Sequence, residues 1–466
     1  MLGKTKKLHF VGIGGIGMSG IAELLINYGF KITGSDLLCS HVTERLEKMG
    51  AQITYDHKAV NVQNDVDVVV KSSAVTNENI EIKTAMKKNI PVIRRAEMLA
   101  ELMRMKKGIC IAGTHGKTTT TSMTGMILTE AEMLPTLVIG GVVKNFDSNA
   151  VLGKSQYIVV EADEYDRSFL SLSPIIAAIT NIEEEHVDCY PTIADLENAF
   201  LQFANSVPFF GLIIACIDDP AVKRILPRFE KRICTFGLDK RASVRAENIK
   251  QSHFESEYDL VYANKKLGTI NLSLPGLHNI QNSLLAASIA LELEIPFIDI
   301  RNGLLKFTGV YRRFERKGFV NDIFVYDDYA HHPTEVKRTV QSIKQGTARR
   351  VIAIFQPHLY TRTKMFYRQF AEALMDSDVI IINEIYPARE EPIEGITGKL
   401  ISDVAEELGH KQVLFIKNRA DIPQELMKMC KSGDFLITMG AGNIYEVAEQ
   451  FVDLLEKQNK KSMKKS

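Results

Sequence analysis

Short apolar runs alternate with amphipathic segments along almost the whole chain. That rhythm marks βαβ units. A strand covered on both faces is continuously apolar, and the helix that covers it is apolar along one side. Three blocks follow from it: 1–107, 108–311 and 312–466. In the first, strand-like runs are Leu8–Ile13, Lys31–Gly34, Asp67–Lys71 and Pro91–Ile93, with helical patterns between them such as Ile16–Tyr28. In the second, Ile109–Ala112 reads as a strand and Lys117–Glu130 as a helix. Further strands are expected at Tyr157–Glu161, Ile175–Thr180 and Gly211–Ala215. Lys250–Leu274 alternates like antiparallel strands, and Asn279–Leu293 reads as a helix. The third block predicts strands at Ile323–Tyr326, Arg350–Phe355, Val379–Asn383, Gln412–Phe415 and Asp434–Thr438. The fold class is therefore α/β in three domains, with Rossmann-like, doubly wound patterns in the N-terminal and C-terminal blocks.

Composition narrows the function. The 466 residues are 45% hydrophobic and 24% charged, as in a chain that buries full cores. Lys+Arg and Asp+Glu are both 57, so a dedicated nucleic-acid binder, which needs a basic excess, is not indicated. The lysine-rich end, 457–466, reads as a solvated tail. The six cysteines are scattered without zinc spacing, which fits a reducing compartment. The start runs straight into a strand without the apolar stretch and cleavage site of a signal peptide, and no apolar run has the length of a membrane span. A cytoplasmic location is expected, with no membrane partner.

Two glycine loops carry the chemistry. Gly12-Ile13-Gly14-Gly15-Ile16-Gly17 follows a strand and opens a helix, and Asp36 lies about 20 residues beyond it, where a dinucleotide enzyme holds a ribose hydroxyl. Glycines let backbone N–H groups approach a diphosphate, and the helix N-terminus favours its charge. This specifies a diphosphate nucleotide without specifying a nicotinamide; an NAD-dependent dehydrogenase and a merely tight turn remain open. The second loop, Gly113-Thr114-His115-Gly116-Lys117-Thr118-Thr119, is shorter than a strict P-loop but keeps strand, glycine turn, Lys, hydroxyl and helix. Lys117 can reach the β/γ-phosphates and Thr118 a Mg²⁺. A dehydrogenase has no use for this second loop.

Polar clusters close several later strands. Glu161, in Glu161-Ala162-Asp163-Glu164, suits Mg²⁺, and His186 suits a second cation or a phosphate. Asn279 and Asn282 share one helix face after His278. Asp327-Asp328-Tyr329-Ala330-His331-His332 and Gln356-Pro357-His358-Leu359-Tyr360-Thr361-Arg362 follow strands of the third block, with Arg312-Arg313 before them. Each has a bland alternative: a solvated acidic turn, a structural His, a polar helix start.

Taken together, GIGGIGMSGIA at Gly12–Ala22, AGTHGKTTTT at Ala112–Thr121, EADEYDRSFL at Glu161–Leu170, GLHNIQN at Gly276–Asn282, DDYAHHPTE at Asp327–Glu335 and QPHLYTRT at Gln356–Thr363 resemble the Mur ligase family of peptidoglycan synthesis. The resemblance covers nearly the whole chain. It implies a UDP-sugar domain, with Gly14, Gly15 and Gly17 at the diphosphate and Ser35, Asp36, His57, Ser72, Ser73 and Arg94 contributing. It implies a central P-loop ATPase-like α/β domain that binds ATP, with Gly113 to Thr119 on the phosphates, Thr118, Glu161 and His186 around Mg²⁺, and His278, Asn279 and Asn282 near adenine and ribose. Arg313 and Asp328 would reach ATP from the third domain, and Tyr329, His331, His358 and Arg362 would line an amino-acid site. Two departures are visible. Leu359 stands where some relatives carry a basic residue, which leaves Arg362 to grip a carboxylate. Glu197-Asn198-Ala199-Phe200-Leu201 lacks the lysine that branches adding later amino acids carbamylate, so no carbamyl-lysine is expected.

The implied activity is ATP-dependent attachment of L-alanine to the carboxylate of UDP-N-acetylmuramate through an acyl phosphate. Lys117 and Arg313 would neutralise charge, His331 would be the base, and closure of the third domain would assemble the reactants. A muropeptide-recycling ligase that adds a whole peptide to the same sugar is the nearest alternative. A monomer or weak homodimer is expected.

Overall fold

The computed structural model describes residues 3–185, 189–252, 254–388 and 390–463. Three sheets carry the fold. The first has five parallel strands in the spatial order Gln52–Thr54, Lys31–Ser35, Lys7–Val11, Val68–Lys71, Val92–Arg94. The chain winds one way from Lys7–Val11 and then reverses to Val68–Lys71. That reversal opens a crevice at the carboxyl ends of the strands, where such sheets bind ligands. The helix Ile16–Asn27 leaves the glycine loop here; Met18 to Leu25 are buried, because both the sheet and neighbouring chain cover it.

The second sheet has ten strands. Lys107–Ala112 lies at its heart, paired in parallel with Tyr157–Glu161 on one side and Ile176–Ile179 on the other. All three end at the same edge, so Gly113, Glu161 and Thr180 are brought together by register alone. Ser148–Val151 closes the sheet antiparallel to Thr136–Val143. The third sheet has the order Glu315–Val320, Ile323–Asp328, Phe435–Met439, Val351–Phe355, Val379–Asn383, Val413–Ile416; only the first strand is antiparallel. Apolar clusters pack both its faces, as the continuous Val/Ile runs demand.

Compactness groups Met1–Ile249, Glu257–Asn271 and Asn279–Thr308 into one unit, which holds the first sheet and most of the second. Lys250–Ser256, Leu272–His278 and Gly309–Ser466 form another. Strands at Gln52–Thr54, Thr136–Val143, Ser148–Val151, Ile233–Gly237 and Glu315–Val320 add to those expected. All six cysteines are free thiols, and no helix among the described residues is long and apolar enough to cross a membrane.

Candidate functional site

The first glycine loop is braced from the neighbouring strand. The N–H groups of Gly12 and Ile13 donate to the Ser35 carbonyl at 2.9 and 3.1 Å. Gly14 N–H donates to Asp36 Oδ2 at 2.8 Å, and Leu37 and Leu38 N–H to Asp36 Oδ1. The Asp36 carboxylate is thus engaged with loop amides. Ser35 and His57 gather instead around the buried Glu81. Ser72, Ser73 and Arg94 line a cavity of about 580 Å³, whose other wall is the segment Asp163–Ser171. A cleft of this size suits a small-molecule ligand. Arg95, unmarked in the sequence reading, also lines it. Its guanidinium lies where a Cβ on Gly17 would come within 2.8 Å, and it faces Asp163 at 3.7 Å. Arg94 faces Asp166 at 3.8 Å. The tandem Arg94-Arg95 at a strand end was the available signal.

The second loop is wound tightly against its surroundings. Gly116 caps the helix Lys117–Glu130 with φ +84°, and Gly113 has φ +135°. A Cβ at Gly113 would sit 1.9 Å from Thr180 Oγ1, and one at Gly116 2.4 Å from Asn282 Oδ1. His115 N–H donates to Asn181 Oδ1 at 2.9 Å, and Thr180 Oγ1 donates to His115 O at 2.6 Å. His115 Nε2 is 3.3 Å from Glu183 Oε2; Glu183 N–H donates to the Thr114 hydroxyl at 2.9 Å. In the helix that follows, Thr121, Ser122, Thr124 and Thr129 donate their hydroxyls back to the carbonyl four residues earlier. Thr118 does not: its hydroxyl donates to Glu161 Oε1 at 2.9 Å, while Glu161 Oε2 accepts Gly140 N–H at 2.7 Å. Two adjacent oxygen donors at a phosphate loop are what Mg²⁺ coordination uses. Thr119 lies in the first helical turn.

Lys117 Nζ donates to Gly113 O at 2.6 Å, Thr114 O at 3.2 Å and Glu164 Oε2 at 2.7 Å. Burial alone would depress its pKa, but the charges of Glu164, Asp163 and Glu161 outweigh burial and hold the ammonium charged. Glu164, missed in the sequence reading, lies in a segment where Asp166 and Arg167 both adopt left-handed backbone, φ +56° and +54°. Consecutive strained residues of this kind persist where the surroundings over-determine them. Its neighbours Asp163 and Asp166 face the arginines of the cavity. Asn279 and Asn282 are buried on one helix face, with Asn282 Nδ2 3.4 Å from Asn279 Oδ1. His186 lies outside the described residues.

The second unit holds His278, Arg313, Asp328, Tyr329, His331, His358 and Arg362. Asp328 accepts from Ala330 N–H at 2.8 Å and Phe314 N–H at 3.1 Å. Burial pushes its pKa up to about 7, against the pull of Arg313. Glu335 organises the rest: Oε2 accepts the His331 N–H at 3.0 Å and lies 3.2 Å from His331 Nδ1, and Oε1 is 3.7 Å from Arg313. His331 Nδ1 is also 3.0 Å from Tyr329 O. Both neighbours are acceptors, so Nδ1 carries a hydrogen, and Nε2 is the unprotonated nitrogen of the neutral ring. The His331 and His358 rings are 6.2 Å apart, His358 stacks on Tyr386 at 5.8 Å, and Arg362 Nη1 is 3.5 Å from His358 Nδ1. Leu359, between them, has φ +71°. Arg313 lies over the Tyr329 ring at 5.1 Å.

Comparison with known proteins extends this geometry. Three family models match in order: Mur ligase family, catalytic domain, over residues 7–107; Mur ligase middle domain over 111–290; and Mur ligase, glutamate ligase domain over 312–442. The chain is 49% identical to the UDP-N-acetylmuramate–L-alanine ligase of Salinibacter ruber, covering 98% of this chain and 96% of that one. It is 50% identical to the protein of that name from Geotalea uraniireducens, covering 98% and 99%. A crystal structure of a UDP-N-acetylmuramate–alanine ligase from Thermotoga maritima superposes with TM-score 0.82 at 28% identity, over 97% of this chain and 99% of that one. A murein peptide ligase from Psychrobacter arcticus gives 0.72 at 25% identity, over 97% and 98%.

Proposed function

The chain belongs to the Mur ligase family, and on that premise we propose that it joins L-alanine to the carboxylate of UDP-N-acetylmuramate with cleavage of ATP to ADP and phosphate, a step of peptidoglycan precursor synthesis. The observation that carries this reading is likeness over nearly the full chain to ligases of that name. A recycling ligase and a dehydrogenase are not favoured by it.

A carboxylate is a poor acylating agent, because oxide would have to leave. A carboxylate oxygen of the sugar attacks the γ-phosphorus and ADP departs, leaving an acyl phosphate. The alanine nitrogen then attacks the carbonyl carbon, and phosphate leaves from the tetrahedral intermediate with that oxygen. Positioning and charge neutralisation supply the catalysis. The loop Gly113 to Thr119 binds the phosphates, with the N–H groups of Thr114 and His115 tying it to Asn181 and those of Gly116 to Thr119 at the helix start left for phosphate oxygens, while Lys117 neutralises charge. Thr118 and Glu161, with His186, would hold Mg²⁺, which neutralises phosphate charge when bound. Asn279, Asn282 and His278 are proposed for the nucleoside of ATP, and Arg313 and Asp328 also for ATP. Gly14, Gly15 and Gly17, with Ser35, Asp36, His57, Ser72, Ser73 and Arg94, serve the UDP-sugar; Asp36 does so by holding the loop, and we add Arg95. Tyr329, His358 and Arg362 receive alanine. His331 takes the ammonium proton at Nε2, while Glu335 holds its Nδ1–H. The ATP and nucleotide-sugar pools place the work in the cytoplasm. The proposed residues all lie on one chain, so a monomer or weak homodimer suffices.

The test is phosphate release with UDP-N-acetylmuramate against a panel of amino acids and the L-alanyl tripeptide. Release with alanine is expected, and release with the tripeptide but not alanine would overturn the substrate assignment. Lys117→Ala should lower turnover by about 10³-fold or more while UDP-sugar binding survives.

A further inference from the structure

Beneath the strand ends that carry the first glycine loop lies a carboxylate outside the chemistry above. Glu81 sits in the first turn of the helix Ile80–Lys87 and is fully buried. Its Oε2 accepts the Ser35 hydroxyl at 2.6 Å and lies 3.2 Å from His9 Nε2. Its Oε1 accepts the Asn61 amide at 2.6 Å and the Lys58 N–H at 3.2 Å. Burial pushes its pKa up, but His9, Ser35 and Asn61 together outweigh burial and hold the carboxyl below the usual glutamate value. A desolvated charge is tolerated only when its lone pairs are answered in this way.

The direction of one bond sets the state of a second residue. A hydroxyl has one hydrogen, and Ser35 gives it to Glu81. The 3.1 Å contact between Ser35 Oγ and His57 Nδ1 is then one in which the ring donates. His57 Nδ1 carries the hydrogen, and Nε2, on the opposite edge of the ring, is an acceptor. Ser35 also fixes the loop, since its carbonyl takes the Gly12 and Ile13 N–H groups. In sheets of this topology the nucleoside hydroxyls meet the end of the second strand. The carboxylate there, Asp36, is engaged with three amides.

We propose that Glu81 is a positioning residue for the nucleotide-sugar: through Ser35 it holds His57 as the Nδ1–H tautomer, so that Nε2 accepts a hydrogen bond from a hydroxyl or imide N–H of the nucleotide. This rests on the UDP-sugar reading above. Without the carboxylate, the Ser35 hydrogen turns to Nδ1, the ring proton moves to Nε2, and a donor meets a donor.

Calorimetric titrations of UDP-N-acetylmuramate, UDP and ATP into the full-length protein test it, with Glu81→Gln, Ser35→Ala, His57→Ala and the Ser35→Ala/His57→Ala double variant. Glu81→Gln and Ser35→Ala should each weaken UDP-N-acetylmuramate and UDP about ten-fold, one hydrogen bond's worth, with ATP unchanged. In the His57→Ala background, Ser35→Ala should cost nothing further. Nitrogen-15 shifts of the His57 ring should report Nδ1–H in the wild type and move toward Nε2–H in Glu81→Gln, where the Ser35 hydrogen is released; in Ser35→Ala the carboxylate, 3.7 Å from Nδ1, still favours Nδ1–H. Equal losses from Ser35→Ala with and without His57, or a tautomer unmoved in Glu81→Gln, would overturn the proposal. Should Glu81→Gln fail to fold, Ser35→Ala decides, since it leaves the other Glu81 bonds in place. A wild-type protein that binds ATP but neither UDP ligand would instead overturn the functional reading on which the proposal rests.

Discussion

Lys117 spends its three ammonium hydrogens inside the protein, on two loop carbonyls and Glu164. A phosphate must therefore displace at least one of these acceptors, and Glu164 is the one a bound anion would repel. The glycines around that lysine are equally constrained. Alanine at Gly116 takes a left-handed conformation costing about 1–2 kcal/mol, and its Cβ meets the buried Asn282 amide at 2.4 Å. Gly116→Ala should cut kcat/KM for ATP by about 100-fold, the scale of a misplaced phosphate contact. Gly409→Ala is the control. Its φ is +89° with nothing within 4 Å, so stability should fall by about 1 kcal/mol and activity should hold. Equal losses from both would mean that backbone strain, rather than the Asn282 contact, limits the loop. The sequence discloses Gly113, Gly116, Lys117 and Thr118 because their spacing is local. Glu164 and Arg95 stay hidden because their partners arrive from other elements. Asp36 is legible as important, but its bond from the Gly14 N–H, 22 residues away, is visible only once the loop is folded.

The strongly periodic strands are where the apolar runs put them, from Lys7–Val11 to Phe435–Met439, and the central ones are almost continuously buried, while Val92–Arg94 and Val413–Ile416 at the edges are half-buried. Those that escaped are broken or polar on one side. Thr136–Val143 is interrupted by Gly140 and Gly141, one of which admits Glu161, and Ser148–Val151 and Glu315–Val320 pair antiparallel at edges. The helix Leu277–Glu292 begins earlier than expected, at a junction with pH consequences. Burial pushes His278 down to about 4, and Arg338 pushes the same way against Glu335. The unfolded chain therefore binds the proton more tightly between pH 6.5 and 4. Stability rises with pH across that window and is lost on acidification through it. His278→Gln should flatten this slope, removing about 2 kcal/mol of the change in unfolding free energy, a figure discounted for partial exposure. Denaturant melts at pH 4.5 and 7.5 read it directly, and an unchanged slope would mean the ring is solvated.

Across the whole molecule, the phosphate loop with its proposed metal ligands and the residues proposed for the amine fall on different compact units, although Arg313 and Asp328, proposed for ATP, lie with the latter. Lys117, Thr118, Glu161 and the two glycine loops belong to the first; Arg313, His331, His358 and Arg362 belong to the second. Phosphoryl transfer and amide formation should then be separable by mutation. His331→Ala removes the proposed proton acceptor while leaving the phosphate loop untouched. Acyl phosphate should still form, trapped as a hydroxamate when hydroxylamine is added with ATP and UDP-N-acetylmuramate. Alanine ligation should fall by about 10²–10⁴-fold, the usual contribution of a general base. Arg362→Ala should instead raise KM for alanine with KM for ATP unchanged, because a lost carboxylate contact weakens ground and transition states alike. If hydroxamate formation disappears along with ligation in His331→Ala, the histidine acts before the amine arrives. Its role would then be to hold Tyr329 and Glu335 in place for the phosphoryl step, and Nε2 would not be the base.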